Sequence, residues 1–320
     1  MSEPNANSSG VQEFIIIGFP GLSDQKSRRV LFAVFLTVYL FILLGNCSFL
    51  AIFASTRHLH NPMYFLISGL AVLDIIITTN TVPSMLVVFI FNSRTTPFAS
   101  CFIQIFVFLG LMSSESFLLC LMAYDRYIAI CNPLLYPTLM DNSRALKMMA
   151  CCCMGGFIIP GAAVIVTLQL PFCGPNIVVQ CFCDYSSVLM LACGDNHIIS
   201  FVILAIGLAV LFVPLVYILF TYFCVIRHVL QMTSQEGRLK VFYTCGTHMM
   251  VIFVYFFIAA GVFISYRIPD TSVDMRIMAA VIQNVFPALV NPIIYCLRTK
   301  EIRESFVKTL RKFRIVPVTS

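Results

Sequence analysis

The sequence predicts an all-α membrane protein: a bundle of seven transmembrane helices with a short amphipathic eighth helix on the inner face. Three observations lead there. Of 320 residues, 60% are hydrophobic and only 11% charged, against about 25% charged in soluble domains. The apolar residues gather into seven runs, each reaching the ~20 residues that a helix needs to cross a bilayer. The basic residues lie between and after these runs, unevenly on the two sides.

The first ten residues, MSEPNANSSG, are polar and lack a basic patch followed by an apolar core. They do not read as a cleaved signal peptide, so the first apolar run is expected to serve as an uncleaved insertion signal. The runs cover 30–54, 62–91, 101–126, 145–170, 198–226, 241–265 and 274–297. Helix is expected for each, because a helix satisfies its own backbone in lipid. The second run is long enough that it must tilt or protrude.

Seven crossings put the chain ends on opposite sides, and Lys and Arg choose between the two orientations. With the N-terminus outside, fourteen basic residues lie inside and six outside, accounting for all 20. Lys26, Arg28 and Arg29 oppose the rule locally; the later loops outvote them. The division expected is an extracellular N-terminus (1–29), a seven-helix domain (30–297) and a cytoplasmic helix and tail (298–320), in the plasma membrane. Asn7-Ser8-Ser9 is then an outer glycosylation acceptor, whereas Asn46-Cys47-Ser48 lies inside the first helix and stays bare. In 301–314, Ile302, Phe306, Leu310 and Phe313 recur at helical spacing among basic residues. That pattern predicts a helix lying on the membrane; a disordered basic tail is the alternative.

The composition also excludes. A nucleic-acid binder would gather its basic residues on one surface, and the net charge of +6 is not so arranged. An odd number of crossings without repeated halves speaks against a transporter. No phosphate loop, H-E-x-x-H helix or nucleophile elbow is present, so neither an enzyme nor a cofactor is expected.

The segment Met122–Cys131 reads MAYDRYIAIC and resembles the odorant-receptor form of the Asp-Arg-Tyr motif of rhodopsin-like receptors. Further matches follow in the family's order: Gly45-Asn46, LHNPMY at 59–64, PLLYPTLM at 133–140, FCGPN at 172–176, LKVFYTCGTHMM from Leu239, and NPIIY at 291–295. The resemblance covers nearly the whole chain. It implies an odorant receptor that binds small, mostly hydrophobic molecules and activates a heterotrimeric stimulatory G protein, raising cyclic AMP in an olfactory sensory neuron. Membrane lipids are its surroundings. A chemoreceptor for a metabolite such as a carboxylic acid is the alternative. The chain departs from the pattern in having no Trp. Cys153 stands where rhodopsin-like receptors carry one. Tyr255-Phe256-Phe257 replaces a Phe-Tyr-Gly motif, so that Phe256 stands where the family has Tyr and the hydroxyl is either missing or shifted one residue.

Asp74 and Glu115 are carboxyls deep inside apolar runs, where a charge is costly and therefore a functional candidate. The resemblance places them near Asn46 and Asn291, facing the core. Hard oxygen ligands suit a sodium ion; the other reading is a hydrogen-bonded network with at least one carboxyl protonated. No other metal is expected. Asp125, Arg126 and Tyr127 read either as interface groups that snorkel to water or as the switch that the motif implies. Asn291, Pro292 and Tyr295 belong with that switch, because a proline within a helix permits a kink. His248 and Thr244 are its expected neighbours.

Five of the 14 cysteines lie near the outer face: Cys101, Cys173, Cys181, Cys183 and Cys193. Spacing alone cannot pair them. The resemblance implies Cys101–Cys183 and Cys173–Cys193, leaving Cys181 as a competitor for Cys183. The run Cys151–Cys153 reads as small apolar packing, because adjacent residues on a helix point in different directions.

Cys101 and Arg126 are 25 residues apart, ~38 Å along a helix, and so bracket the membrane. Phe108, Leu109, Met112, Ser113 and Ser116 fall between them. The resemblance turns that face toward the ligand, together with Ile203, Ile206, Gly207 and Val210 on the fifth helix and Phe256, Ala259, Ala260, Phe263 and Arg267 on the sixth. Phe108 occupies the position where amine receptors carry Asp, which disfavours a monoamine. Arg267 is either a loop-edge residue paired with Asp270 or Asp274 or a bidentate clamp for a carboxylate.

Overall fold

The computed structural model describes residues 11–173, 175–193, 197–232, 234–265, 268, 271–298 and 302–304. Seven long helices are apolar enough to cross a membrane: α1 (Gln25–Ser55), α2 (Pro62–Phe91), α3 (Phe98–Cys131), α5 (Asn142–Leu168), α7 (His197–Leu230), α8 (Gln235–Ser265) and α9 (Val273–Arg298). Two short helices, α4 (Tyr136–Leu139) and α6 (Tyr185–Leu189), lie in the connections after α3 and α5. The chain is thus the expected seven-helix membrane bundle. Below, the face carrying Asp24 is called outer and the face carrying Tyr136 inner.

The helices begin where side chains meet their unpaired N–H groups. Asp24 accepts from Ser27 N at 2.9 Å, and that bond holds its carboxyl below the ordinary value. Asn61 precedes Pro62, which suits the first position of a helix. Asp141 accepts from Arg144 N at 2.7 Å. At its other end α2 stops at Asn92, which has φ 65°, a left-handed conformation that Asn tolerates better than most residues. Helices α1, α3, α7 and α8 extend beyond the apolar runs, because once nucleated a helix continues into water wherever its sequence permits.

α3 is the central helix, packing on α2, α5, α7 and α8. Its closest approach is to α5: a Cβ at Gly156 would stand 2.6 Å from Ser114 N, so glycine lets the two backbones touch. Ser114 Oγ fastens the crossing by donating to Cys153 O at 3.1 Å.

A small sheet, which the transmembrane pattern gave no reason to expect, covers part of the outer end. Strand β1 (Glu13–Ile17) pairs antiparallel with β2 (Arg94–Pro97) and parallel with β3 (Ile177–Val179). Phe14, Ile16 and Val178 are fully buried. Phe14 packs among Phe98, Phe102 and Phe172 with ring centroids 5.5–6.4 Å apart. The proposed eighth helix falls almost wholly outside the described residues. Of that segment, 302–304 are described, and Ile302 is buried against the bundle.

Candidate functional site

The site has an outer, a middle and an inner layer. In the outer layer Cys101 is disulfide-bonded to Cys183 and Cys173 to Cys193. Cys181 is a free, fully buried thiol. It packs with Phe19, Phe35, Phe89 and Ile277, whereas Cys101 and Cys183 belong to the cluster beneath the sheet. Burial, and then the charge of Asp274, raises the Cys181 thiol well above its ordinary value, which keeps it protonated and a poor competitor for Cys183. Gln104 of α3 holds the loop in place. Its amide oxygen accepts from Cys183 N at 3.1 Å while its amide nitrogen donates to Asn80 O at 2.6 Å.

The middle layer gathers Phe108 and Met112 of α3 with Leu211 and Leu215 of α7 and Tyr255 and Phe256 of α8. Phe108 also meets Phe182 of the outer loop, ring centroids 5.5 Å apart. Sequence reasoning left open whether the family's phenol is missing here or shifted one residue. The structure buries both Tyr255 and Phe256, with the rings edge to face at 5.0 Å. The phenol is shifted one residue from the family position rather than lost: Tyr255 Oη donates to Met112 O at 2.8 Å, tying α8 to α3.

The other expected pocket residues divide. Ser113 and Ala259 are buried and Ala260 is half-buried. Leu109 packs with the outer cluster of Phe102, Ile105 and Val164. Ile206 is 37% exposed, Gly207 is exposed and Val210 half-buried. The side chains of Ile203, Phe263 and Thr244, and all of Arg267 and Asn7, lie outside the described residues. Asp274, one partner considered for Arg267, accepts from Gly21 N at 3.0 Å.

Below this layer Asp74, Glu115 and Asn291 are all buried. Asn291 Nδ2 donates to Asp74 Oδ2 at 3.0 Å. Glu115 is close enough to Asp74, and Tyr295 to both, for their charges to interact. Asn46 does not reach Asp74; it donates to Ile42 O and Ala288 O, both at 3.0 Å, and so joins α1 to α9. That second bond lies four residues before Pro292, where the proline ring leaves a carbonyl without its helical N–H. Asn284 of α9 adds a contact that sequence reasoning missed, donating to Thr81 Oγ1.

At the inner end Asp125 is fully buried between two donors. Arg126 reaches it at 2.7 Å and Tyr136 Oη at 2.9 Å. Burial first and Asp125 second raise the Tyr136 phenol well above its ordinary value, so it stays a donor. His248, Tyr222 and Cys245 stand near enough to Arg126 to feel its charge. Tyr127 is half-buried and packs against the same core. Tyr136 escaped sequence reasoning because it lies eleven residues from Asp125, across a turn that has no helical periodicity.

Seven membrane helices with a buried polar core and an Asp-Arg pair at one end define the class: a G-protein-coupled receptor. A family model described as "Olfactory receptor" matches residues 35–312. The chain is 35% identical to human olfactory receptor 2AT4, over 96% of this chain and 95% of that protein. It is 38% identical to human olfactory receptor 10R2, over 96% and 90% respectively, and 36% identical to human olfactory receptor 11H7, over 98% of each. The chain belongs to the olfactory receptor family, a class of receptors rather than enzymes.

Proposed function

We propose that this receptor binds small, mostly hydrophobic volatile molecules between α3, α7, α8 and α9 and activates a stimulatory G protein that raises cyclic AMP. The observation that carries the reading is the Tyr255–Met112 tie. It joins α8 to α3 in the layer that holds Phe108, Met112 and Phe256, so a ligand wedged there acts directly on the position of α8. An apolar layer with few polar groups suits such a ligand. Binding shifts the bundle only as far as the ligand prefers the active arrangement over the resting one. The G protein then docks near Arg126 once α8 swings away. Both disulfides lie on the N-terminal face, in keeping with an extracellular N-terminus and a plasma-membrane location in sensory neurons.

Asn291 Oδ1 is buried and, among the described residues, without a hydrogen-bond partner. With the carboxyls of Asp74 and Glu115 it would offer hard oxygen donors of the kind that suit a sodium ion. Carboxylate ligands are the second reading. Arg276, in the first turn of α9, has among the described residues neither a partner for its buried Nε nor an ion pair.

The test is cyclic AMP in cells expressing the chain beside Arg126→Ala, with surface staining. The panel is aliphatic acids, alcohols, aldehydes and esters. A response lost in the variant is expected. A ligand-dependent ion or solute flux without a G protein would overturn the reading in favour of a transporter.

A further inference from the structure

Lys26, Arg28 and Arg29 pose a double problem. They lie on the face that the charge bias leaves poor in basic residues, and they occupy the first turns of α1, where the helix dipole disfavours cations. Arg28 is accounted for by the protein. Its Nε donates to Ser23 O at 3.0 Å and its NH1 to Phe89 O and Ile90 O at 3.4 and 3.1 Å, so it caps the negative end of α2.

Arg29 has no such partner. It is exposed, and among the described residues it forms no ion pair. It lines a groove of about 290 Å³ between the outer ends of α1 and α2, with Gln25 and Arg28 at the polar end and Phe32, Phe89 and Ile90 forming the apolar wall. Ile90 in the groove wall is 51% exposed, and Ala33, one turn along α1 from Arg29, is exposed, so this side of the helix pair faces lipid. The Arg29 guanidinium therefore stands at headgroup depth with hydrocarbon-compatible surface directly below it.

We propose that this groove is a binding site for a glycerophospholipid of the adjoining leaflet. The lipid phosphate accepts from Arg29 and from the Gln25 amide, and an acyl chain lies along Phe32 and Ile90. Guanidinium is suited to this, since it pairs with phosphate through two parallel hydrogen bonds. The anion answers both oddities of the sequence: it neutralises the misplaced charge and sits at the positive end of α1. Bound there, the lipid staples α1 to α2 without touching the ligand layer or the inner lock that Asp125 forms with Arg126 and Tyr136.

The experiment uses the purified full-length chain in maltoside micelles, with the thermal midpoint read by light scattering. Dioleoylphosphatidylcholine, dioleoylglycerol and inorganic phosphate are titrated separately. The phospholipid is expected to raise the midpoint saturably, and dioleoylglycerol and inorganic phosphate are not. Arg29→Gln should keep the lipid-free midpoint but need about tenfold more phospholipid, the scale of a lost charge-assisted hydrogen bond. Lys26→Gln, outside the groove, should titrate as the wild type does. Equal titration of Arg29→Gln and wild type would overturn the site. So would a full shift with dioleoylglycerol, which lacks phosphate, or with inorganic phosphate alone, which lacks a chain.

Discussion

Tyr136→Phe tests the inner lock with the loss of one oxygen atom. In the resting arrangement Asp125 has no exposure and two side-chain donors, Arg126 at 2.7 Å and Tyr136 at 2.9 Å. The substitution leaves the ring in place and removes one donor from a buried carboxylate. Hydrogen bonds to charged groups contribute about 1.5–3 kcal/mol, so the resting arrangement should lose ground by roughly 10- to 150-fold against any arrangement that releases Asp125. If the active form is a minor state of about 0.1–10%, that shift is large enough to make it a substantial population. Ligand-free cyclic AMP should therefore rise severalfold at matched surface expression, while Arg126→Ala stays silent. The raised phenol pKa means that the bond persists throughout the physiological pH range, so the difference should not vanish on mild alkalinisation. Unchanged basal signalling in Tyr136→Phe, with surface density and agonist response intact, would refute the reasoning: the bond would then survive activation.

Three other perturbations separate the layers. Asp74→Ala and Glu115→Ala should impair switching more than delivery to the surface, since both carboxyls are buried in the polar core; normal dose–response curves from both would contradict this. Tyr255→Phe keeps the packing against Phe256 but frees Met112 O. It should alter efficacy while leaving surface staining within about twofold, the scale of a mild ~0.4 kcal/mol loss; unchanged efficacy across an active panel would show that the α8–α3 tie is passive. Gly156→Val would force a Cβ against the Ser114 backbone, an overpacking cost of about 1–3 kcal/mol or more. Its surface expression should fall sharply, whereas the same substitution at Gly207, with nothing within 4 Å, should be tolerated.

The crossings were legible because lipid imposes a length and a polarity that no local accident imitates. The runs at 62–91 and 241–265 end within a residue of α2 and at the same residue as α8. The starts were less legible: α8 begins at Gln235, six residues before its apolar run, because a helix entering water carries no hydropathy mark. The three-stranded sheet was invisible for a related reason. EFIII is a five-residue stretch, Glu13 followed by four apolar residues without alternation, and it means little until β2 and β3, more than 75 residues away in the chain, supply its partners. Asp125, Arg126, Asn291 and Pro292 could be picked from their motifs. Their contacts could not, because Tyr136, Tyr255 and Gln104 act through single hydrogen bonds set by tertiary packing. Asn46 shows the limit most clearly. It is buried, yet it serves the backbones of α1 and α9 rather than Asp74.

The distribution of restraints along the bundle bears on how such a receptor can move. The outer end is closed by two disulfides, a sheet and the Gln104 hydrogen bonds to α2 and the outer loop. Between α3 and α5 the backbones touch at Gly156, so those helices can only move together. The inner end of α8 has no comparable fastening to α3 among the described residues. It lies beside Arg126 through His248 and Cys245, while Arg126 itself is turned toward Asp125. Partly unsatisfied polar groups line the path between the two ends: among the described residues, Asn291, Tyr295, Tyr222 and His248 each carry a buried atom without a partner. Such groups cost stability where they are, and an arrangement that pairs them differently recovers part of that cost. Restraints distributed in this way would oppose opening of the outer end more than a swing of inner α8 away from α3, which is the motion the proposed function requires.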